Sequence, residues 1–154
     1  MAERGQLERR SQGVYRVPLI PSTPLDAYME ATLWPRGAAG VLSHETALAL
    51  YELSDVNPDK IHITVPKHHR IRRAIPAEYQ IHHEDLATGD VASHEGIATV
   101  PPAVAIRQCH ATHLGPALLA QAIDQGERNG RLTRRQADDL RRDTGVAAGS
   151  GVRR

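Results

Sequence analysis

The nine histidines are the residues of this chain best equipped for chemistry, since a neutral imidazole ligates transition metals and a titrating one moves protons near neutral pH. His110 and His113, spaced i, i+3, share a face if their segment is helical. His62 meets His82 or His83 if the segments around them pair as strands. No HExxH is present and spacing assigns no third ligand, so these histidines read as surface or internally satisfied side chains, and no metal site is expected.

Nucleophiles fare no better. Cys109 adjoins His110, but neighbours on a helix point apart, which makes Cys109 a buried structural thiol. Ser43-His44 reads as a helix cap followed by a first-turn residue, because a nucleophile elbow requires Gly-x-Ser-x-Gly and the stretch here is Leu42-Ser43-His44-Glu45. Pro58-Asp59 resembles the metal-binding aspartate of a nuclease, yet the next strand, Ile61 to Val65, lacks the acidic-x-Lys that would clamp Mg²⁺, so Asp59 reads as a turn residue. Neither phosphate-cradling glycine motif occurs. The expectation is a protein that is not an enzyme, with no catalytic residue, no metal and no cofactor.

Composition narrows the class further. The 154 residues suit one domain, and Leu, Ile and Val supply 33 of them, enough for a modest aliphatic core. With no Phe, one Trp and four Tyr, the stacking platforms of a single-strand binder are missing. The apolar runs fall far short of the ~20 residues that cross a bilayer, and the charged first ten residues do not read as a secretory signal. A lone cysteine excludes an internal disulfide. A soluble, cytoplasmic protein without a membrane partner is expected.

Net charge is only +1, but it is unevenly distributed. Residues 74–106 hold five acidic side chains (Glu78, Glu84, Asp85, Asp90 and Glu95) and no Lys or Arg. They are flanked by a basic loop with Arg70, Arg72 and Arg73, and by a C-terminal region with Arg131, Arg135 and Arg142. Arginine outnumbers lysine 17 to 2, and its planar fork pairs carboxylates or phosphates bidentately.

The elements that must position these groups follow from periodicity. Gln6 to Arg10 reads as the end of a helix and Gly13 to Val17 as a short strand. Ser22 or Thr23 caps a helix from Pro24 to Trp34 whose apolar face is Leu25, Tyr28, Met29 and Leu33. Ser43 starts a second helix through Leu53. Ile61 to Val65 alternates as a half-buried strand, Tyr79 to His82 is its antiparallel partner, and two further strands lie at Asp90 to Ser93 and Gly96 to Val100. Helices follow around Val104 to Gln108, Pro116 to Gly126 and Arg134 to Asp143, with a disordered tail over 145–154. The expected fold is α+β: a small, mostly antiparallel sheet packed with about five helices, the C-terminal part helical.

Four segments together resemble a known family. Gly40 to Ser54 (GVLSHETALALYELS), a turn ending in Asn57-Pro58, and Lys60 to Pro66 (KIHITVP) with its basic loop are similar to the central signature of AbiEi-type antitoxins. Gly96 to Pro102 (GIATVPP) resembles that family's later strand-to-helix segment, and Gly13 to Val17 (GVYRV) the strand that ends its winged helix-turn-helix. The resemblance implies residues 1–18 as the end of a winged helix and 19–144 as the antitoxin domain. It also implies a function: neutralising a cognate AbiEii-type nucleotidyltransferase toxin by direct binding that blocks its active site. The alternative it implies is a DNA-binding repressor of the toxin–antitoxin operon. About a dozen residues precede the wing strand, too few for a recognition helix, so operator DNA is not an expected partner. The candidate contacts with the toxin are Glu78, Glu84, Asp85, Asp90 and Glu95, acting by charge mimicry, or the arginines at 70, 72, 73, 131, 135 and 142, pairing catalytic carboxylates.

Overall fold

A computed structural model describes residues 23–147, together with the backbone of 8–11 and 14–16. The expected disordered tail therefore lies outside the described residues from 148 onward. At the N-terminal end, β1 (Glu8–Ser11) and β2 (Val14–Arg16) form an antiparallel hairpin. The strand over 14–16 is as expected, but 8–11 is extended where a helix end was anticipated. A lone helical turn is marginal without packing, whereas a strand gains a ladder partner at once.

Helix α1 (Pro24–Leu33) begins as its sequence requires, with a reciprocal capping box between Thr23 and Asp26 and Pro24 in the first turn. Its orientation is not the expected one. Of the expected face, Tyr28 is partly buried against Leu42, Leu50 and Ile97, but Leu25, Met29 and Leu33 are exposed, Leu33 at 61 %, while Ala31, Thr32 and the following Trp34 are buried. The reason is close approach: the Gly40 N–H donates to the Thr32 carbonyl at 3.1 Å. A Cβ on Gly40 would lie 2.6 Å from Ile63 Cγ2. Only the small-residue side of α1 fits against a backbone that near.

Helix α2 (His44–Leu50) follows the two-residue strand β3 (Val41–Leu42). It stops short of the expected Leu53 because Glu52 and Ser54 turn into the left-handed region, and the Leu53 N–H returns to the Leu48 carbonyl at 2.9 Å.

The remaining strands are β4 (Ile61–Val65), β5 (Tyr79–His83), β6 (Ala92–His94) and β7 (Ile97–Thr99), and a 3-10 turn occupies Thr88–Asp90. The sheet order is β5-β4-β3-β7-β6. This is an α+β fold as expected, but the sheet is mixed rather than mostly antiparallel. β3 runs antiparallel to β4 and parallel to β7, β6 and β7 form an antiparallel hairpin, and β5 lies parallel to β4 rather than antiparallel. The connection 66–78 decides this last point, because it spans the crossover of about a dozen residues that parallel pairing needs and that a hairpin does not. β4 is consequently an inner strand, with Ile63, Thr64 and Val65 all buried, not the half-buried strand its alternation suggests.

Helices α3 (Pro102–Ala111), α4 (Pro116–Arg128) and α5 (Arg134–Thr144) bring the α-helices among the described residues to five, close to the expected positions. They pack with α2 around Leu48, Ile106, Cys109, Leu119, Ile123 and Leu140, the aliphatic core anticipated from composition. A second cluster joins Ala31, Trp34, Ile63 and Tyr79, with Trp34 and Tyr79 edge to face at 5.6 Å. Among the described residues no helix is long and apolar enough to cross a membrane.

Candidate functional site

Strand pairing creates the first feature. In the parallel ladder His62 lies opposite Gln80 and Thr64 opposite His82, so His62 and His82 are diagonal neighbours on one face of the sheet. His62 Nδ1 and His82 Nε2 are 2.9 Å apart. Alternation sends His83 to the other face, which resolves the choice between His82 and His83. Strand β3, hydrogen-bonded to β4, delivers the first residue of α2 above these rings. His44 stacks on His82 with ring centroids 3.6 Å apart and planes 13° from parallel. Ring nitrogens of His44, His62 and His82 all lie within 4.8 Å of one another.

The surroundings hold His44 in place. Its φ of +57° is unusual for a residue with a side chain. Its backbone N–H donates to Gln108 Oε1 at 3.0 Å, and its Nδ1 lies 2.7 Å from Ser43 Oγ. That serine hydroxyl also accepts from Thr64 Oγ1 at 2.7 Å. Ser43 thus takes the backbone position of an N-cap without its hydroxyl capping the helix. Fully buried, it orients an imidazole. On β4 the His62 N–H donates to Thr46 Oγ1 of α2 at 2.8 Å, tying helix to strand beside the cluster.

All three imidazoles resist protonation. Burial, then His82 and His62, lowers the His44 pKa to about 3. Burial, then His62 and His83, brings His82 to about 4. Burial, followed by the Lys60 charge, lowers His62. At neutral pH the cluster is three neutral rings, the form that ligates metals or relays protons. Strand alternation had pointed to two of these residues. The third was hidden because nothing in the local pattern announces a two-residue β3 that carries His44 over β4. His110 and His113, by contrast, are exposed and lie outside the cluster. Cys109 is buried as expected, its thiol pushed up to about 12, first by burial and then by Glu45.

The second feature is basic. Arg36, Arg70, Arg72 and Arg73 line a cleft of about 490 Å³ with Trp34, Pro35, His69 and Ile71. The Arg73 guanidinium lies 4.3 Å from the Trp34 ring centroid and donates to the Trp34 carbonyl. Its pKa is lowered by burial and then by the Arg36 charge. No carboxylate belongs to the lining of this cleft among the described residues. Such a cavity suits a planar anion held by guanidinium forks.

The other candidate charges do not share one surface. Glu78 precedes β5 and Glu84 and Asp85 follow it, at opposite ends of an edge strand, with Asp85 accepting from the Lys67 N–H at 2.9 Å. Glu95 forms the turn between β6 and β7 at the far edge, about four strand spacings of ~4.8 Å away. Asp90 sits in the 3-10 turn. Arg131 lies 5.5 Å from the Tyr51 ring and shares a second cleft with Glu95, Glu52 and His94. On α5, Arg135 is exposed in the first turn and Arg142 is 2.6 Å from Asp139. Arg141, not singled out in the sequence, bridges Asp124 and Glu127.

No protein-family model matches the chain, and no curated protein matches it.

Proposed function

We propose that this chain is a non-enzymatic antitoxin of the AbiEi kind, which neutralises a cognate nucleotidyltransferase toxin in the cytoplasm by binding it directly. The reading rests on the resemblance of four segments, and the placement of three of them supports treating those as one unit. Gly40 to Ser54 forms β3 and α2, Lys60 to Pro66 forms β4, and Gly96 to Pro102 forms β7 and the start of α3. β3 pairs with both β4 and β7. Three of the segments that carry the likeness therefore share one sheet core, whereas Val14–Arg16 of the fourth belongs to the separate β1-β2 hairpin.

Of the two routes to toxin occlusion, the arginine route has the better geometric support. The observation that carries it is the convergence of Arg36, Arg70, Arg72 and Arg73 on a single cleft, whereas the acidic candidates are dispersed over both edges of the sheet. A nucleotidyltransferase holds its catalytic metal with carboxylates, and bidentate guanidinium pairing would compete with that metal.

The test is co-purification with the neighbouring toxin and a binding titration. Charge reversal by Arg70→Glu with Arg72→Glu is expected to weaken the complex by at least about 30-fold, the effect of breaking a desolvated charge pair. Glu84→Lys with Asp85→Lys is expected to change affinity little. Suppression of toxicity without any physical association would defeat direct occlusion. The reverse ranking of the two double variants would shift the contact to the acidic segment.

A further inference from the structure

We infer that His44, His62 and His82 form a binding site for one divalent transition-metal ion, zinc being the ion their chemistry fits best. The site is independent of the toxin-binding reading and lies apart from the arginine cleft, whose lining shares none of its residues.

Three observations carry the assignment. First, the ligand atoms converge from three elements, the start of α2, β4 and β5, to within 4.8 Å of one another. Tetrahedral zinc with bonds of ~2.0–2.1 Å places its nitrogens about 3.4 Å apart with each lone pair aimed at the ion, so binding exchanges the 2.9 Å His62–His82 hydrogen bond for metal bonds and turns the stacked His44 ring about its side-chain torsions. Second, these imidazoles lack the carboxylate partners that usually satisfy inward-facing histidines. Among the described residues, the side chains of His62 and His82 hydrogen-bond only to each other. That contact occupies Nδ1 of His62 and Nε2 of His82, the two nitrogens that face each other, and no carboxylate competes for either ring among the described residues.

Third, the outer contacts are of the kind that metal-binding histidines need. His44 Nδ1 lies 2.7 Å from Ser43 Oγ, and in the tautomer that donates Nδ1–H to this oxygen the Nε2 lone pair is available, with Ser43 itself fixed by Thr64. The +57° φ of His44 is held by the Gln108 contact, so the ring is presented by a backbone that the surrounding structure over-determines. His62 and His82 are half-exposed, so an ion reaches the cluster from solvent. A lone imidazole pair would suit many ions, but three nitrogen donors without an oxygen favour zinc over magnesium or calcium.

The experiment is calorimetric titration of the chelator-stripped full chain with Zn²⁺, alongside Co²⁺ absorption spectroscopy. One equivalent of Zn²⁺ is expected to bind, and Co²⁺ is expected to give the intense visible bands of a four-coordinate site, which Zn²⁺ then bleaches. His62→Asn and His82→Asn should each weaken binding by about 100-fold or more, and Ser43→Ala, which removes only an outer contact, by about 10-fold. His110→Ala with His113→Ala, and His68→Ala with His69→Ala, should leave affinity unchanged. Melting curves in chelator show whether each variant folds. If a histidine variant does not fold, the Ser43→Ala titration and the wild-type Co²⁺ spectrum decide. The site is refuted if folded wild-type protein binds no Zn²⁺, if Co²⁺ gives only a weak octahedral spectrum, or if binding survives loss of His62 and His82.

Discussion

His62 Nδ1 sits 2.9 Å from His82 Nε2, although the two residues are twenty apart in sequence and not directly opposed in the ladder. The contact exists because β4 and β5 run parallel. An antiparallel pairing would reverse one strand and set a different pair of side chains side by side. The same parallel pairing, with β3 alongside β4, allows α2 to place His44 on top of the pair.

Neutral histidines make the metal-free protein sensitive to acid. In the fold His44 and His82 titrate at about 3 and about 4, against 6.5 in the unfolded chain. Above pH 6.5 both states keep these rings neutral and pH has no leverage. As pH falls from 6.5 towards 4 the unfolded chain takes up protons that the fold refuses, so stability declines through that window, by at most about 1.4 kcal/mol per pH unit for each ring. Urea midpoints in chelator at pH 7, 5.5 and 4.5 should fall in that order, and His82→Phe should flatten the trend. A midpoint that His82→Phe leaves equally pH-dependent would contradict this account.

Cys109 should be inert in the folded state. Its thiol is buried and pushed up to about 12, so almost none is thiolate at pH 8. Alkylation by iodoacetamide, followed by mass spectrometry, should be undetectable on a timescale that fully labels the urea-unfolded chain. Fast labelling of native protein would place the thiol at the surface.

Gly40 should not tolerate a methyl group. An added Cβ meets Ile63 Cγ2 at 2.6 Å and the Thr32 carbonyl at 3.2 Å, and backbone cannot move aside as a side chain can. Gly40→Ala is expected to cost about 1–3 kcal/mol, the usual range for overpacking, and with Ile63→Ala, which removes Cγ2, the double variant should lose less than the sum of the two single losses. Additive losses in chemical denaturation would show that the two positions do not meet.

The faces of α1 make opposite predictions under substitution. Met29→Gln and Leu33→Gln should alter stability by no more than about 0.5 kcal/mol, because both side chains are exposed. Ala31→Leu should destabilise by about 1–3 kcal/mol, since Ala31 is fully buried against the sheet. Thermal melts that rank them the other way would restore the face drawn from apolar periodicity.

Local chemistry was readable residue by residue. Thr23 with Asp26, and Thr133 with Gln136, form capping boxes where the sequence places helix starts. The Glu95-Gly96 turn, with both φ values positive, closes a hairpin between two strands already visible in the alternation. Such features depend on neighbours within a few positions, so they are present in the sequence itself.

Relations between distant segments were not readable in that way. Apolar spacing marks a stripe on α1, yet next to Gly40 and Ile63 the small residues Ala31 and Thr32 face inward, so Leu25, Met29 and Leu33 turn outward and only Tyr28 of the stripe meets the core. Alternation gives His62 and His82 the same kind of strand, but the long 66–78 connection sets their direction of pairing. The arginine cleft forms because that same loop returns to the end of α1, where Trp34 and Arg36 wait. The amino-acid order by itself determined the five α-helices, the strands β2 and β4 to β7, the aliphatic core, and His62 as a neighbour of His82 or His83. Only the tertiary structure decided the mixed sheet, the outward face of α1 and the third imidazole, because each depends on a close approach between segments that no local period encodes.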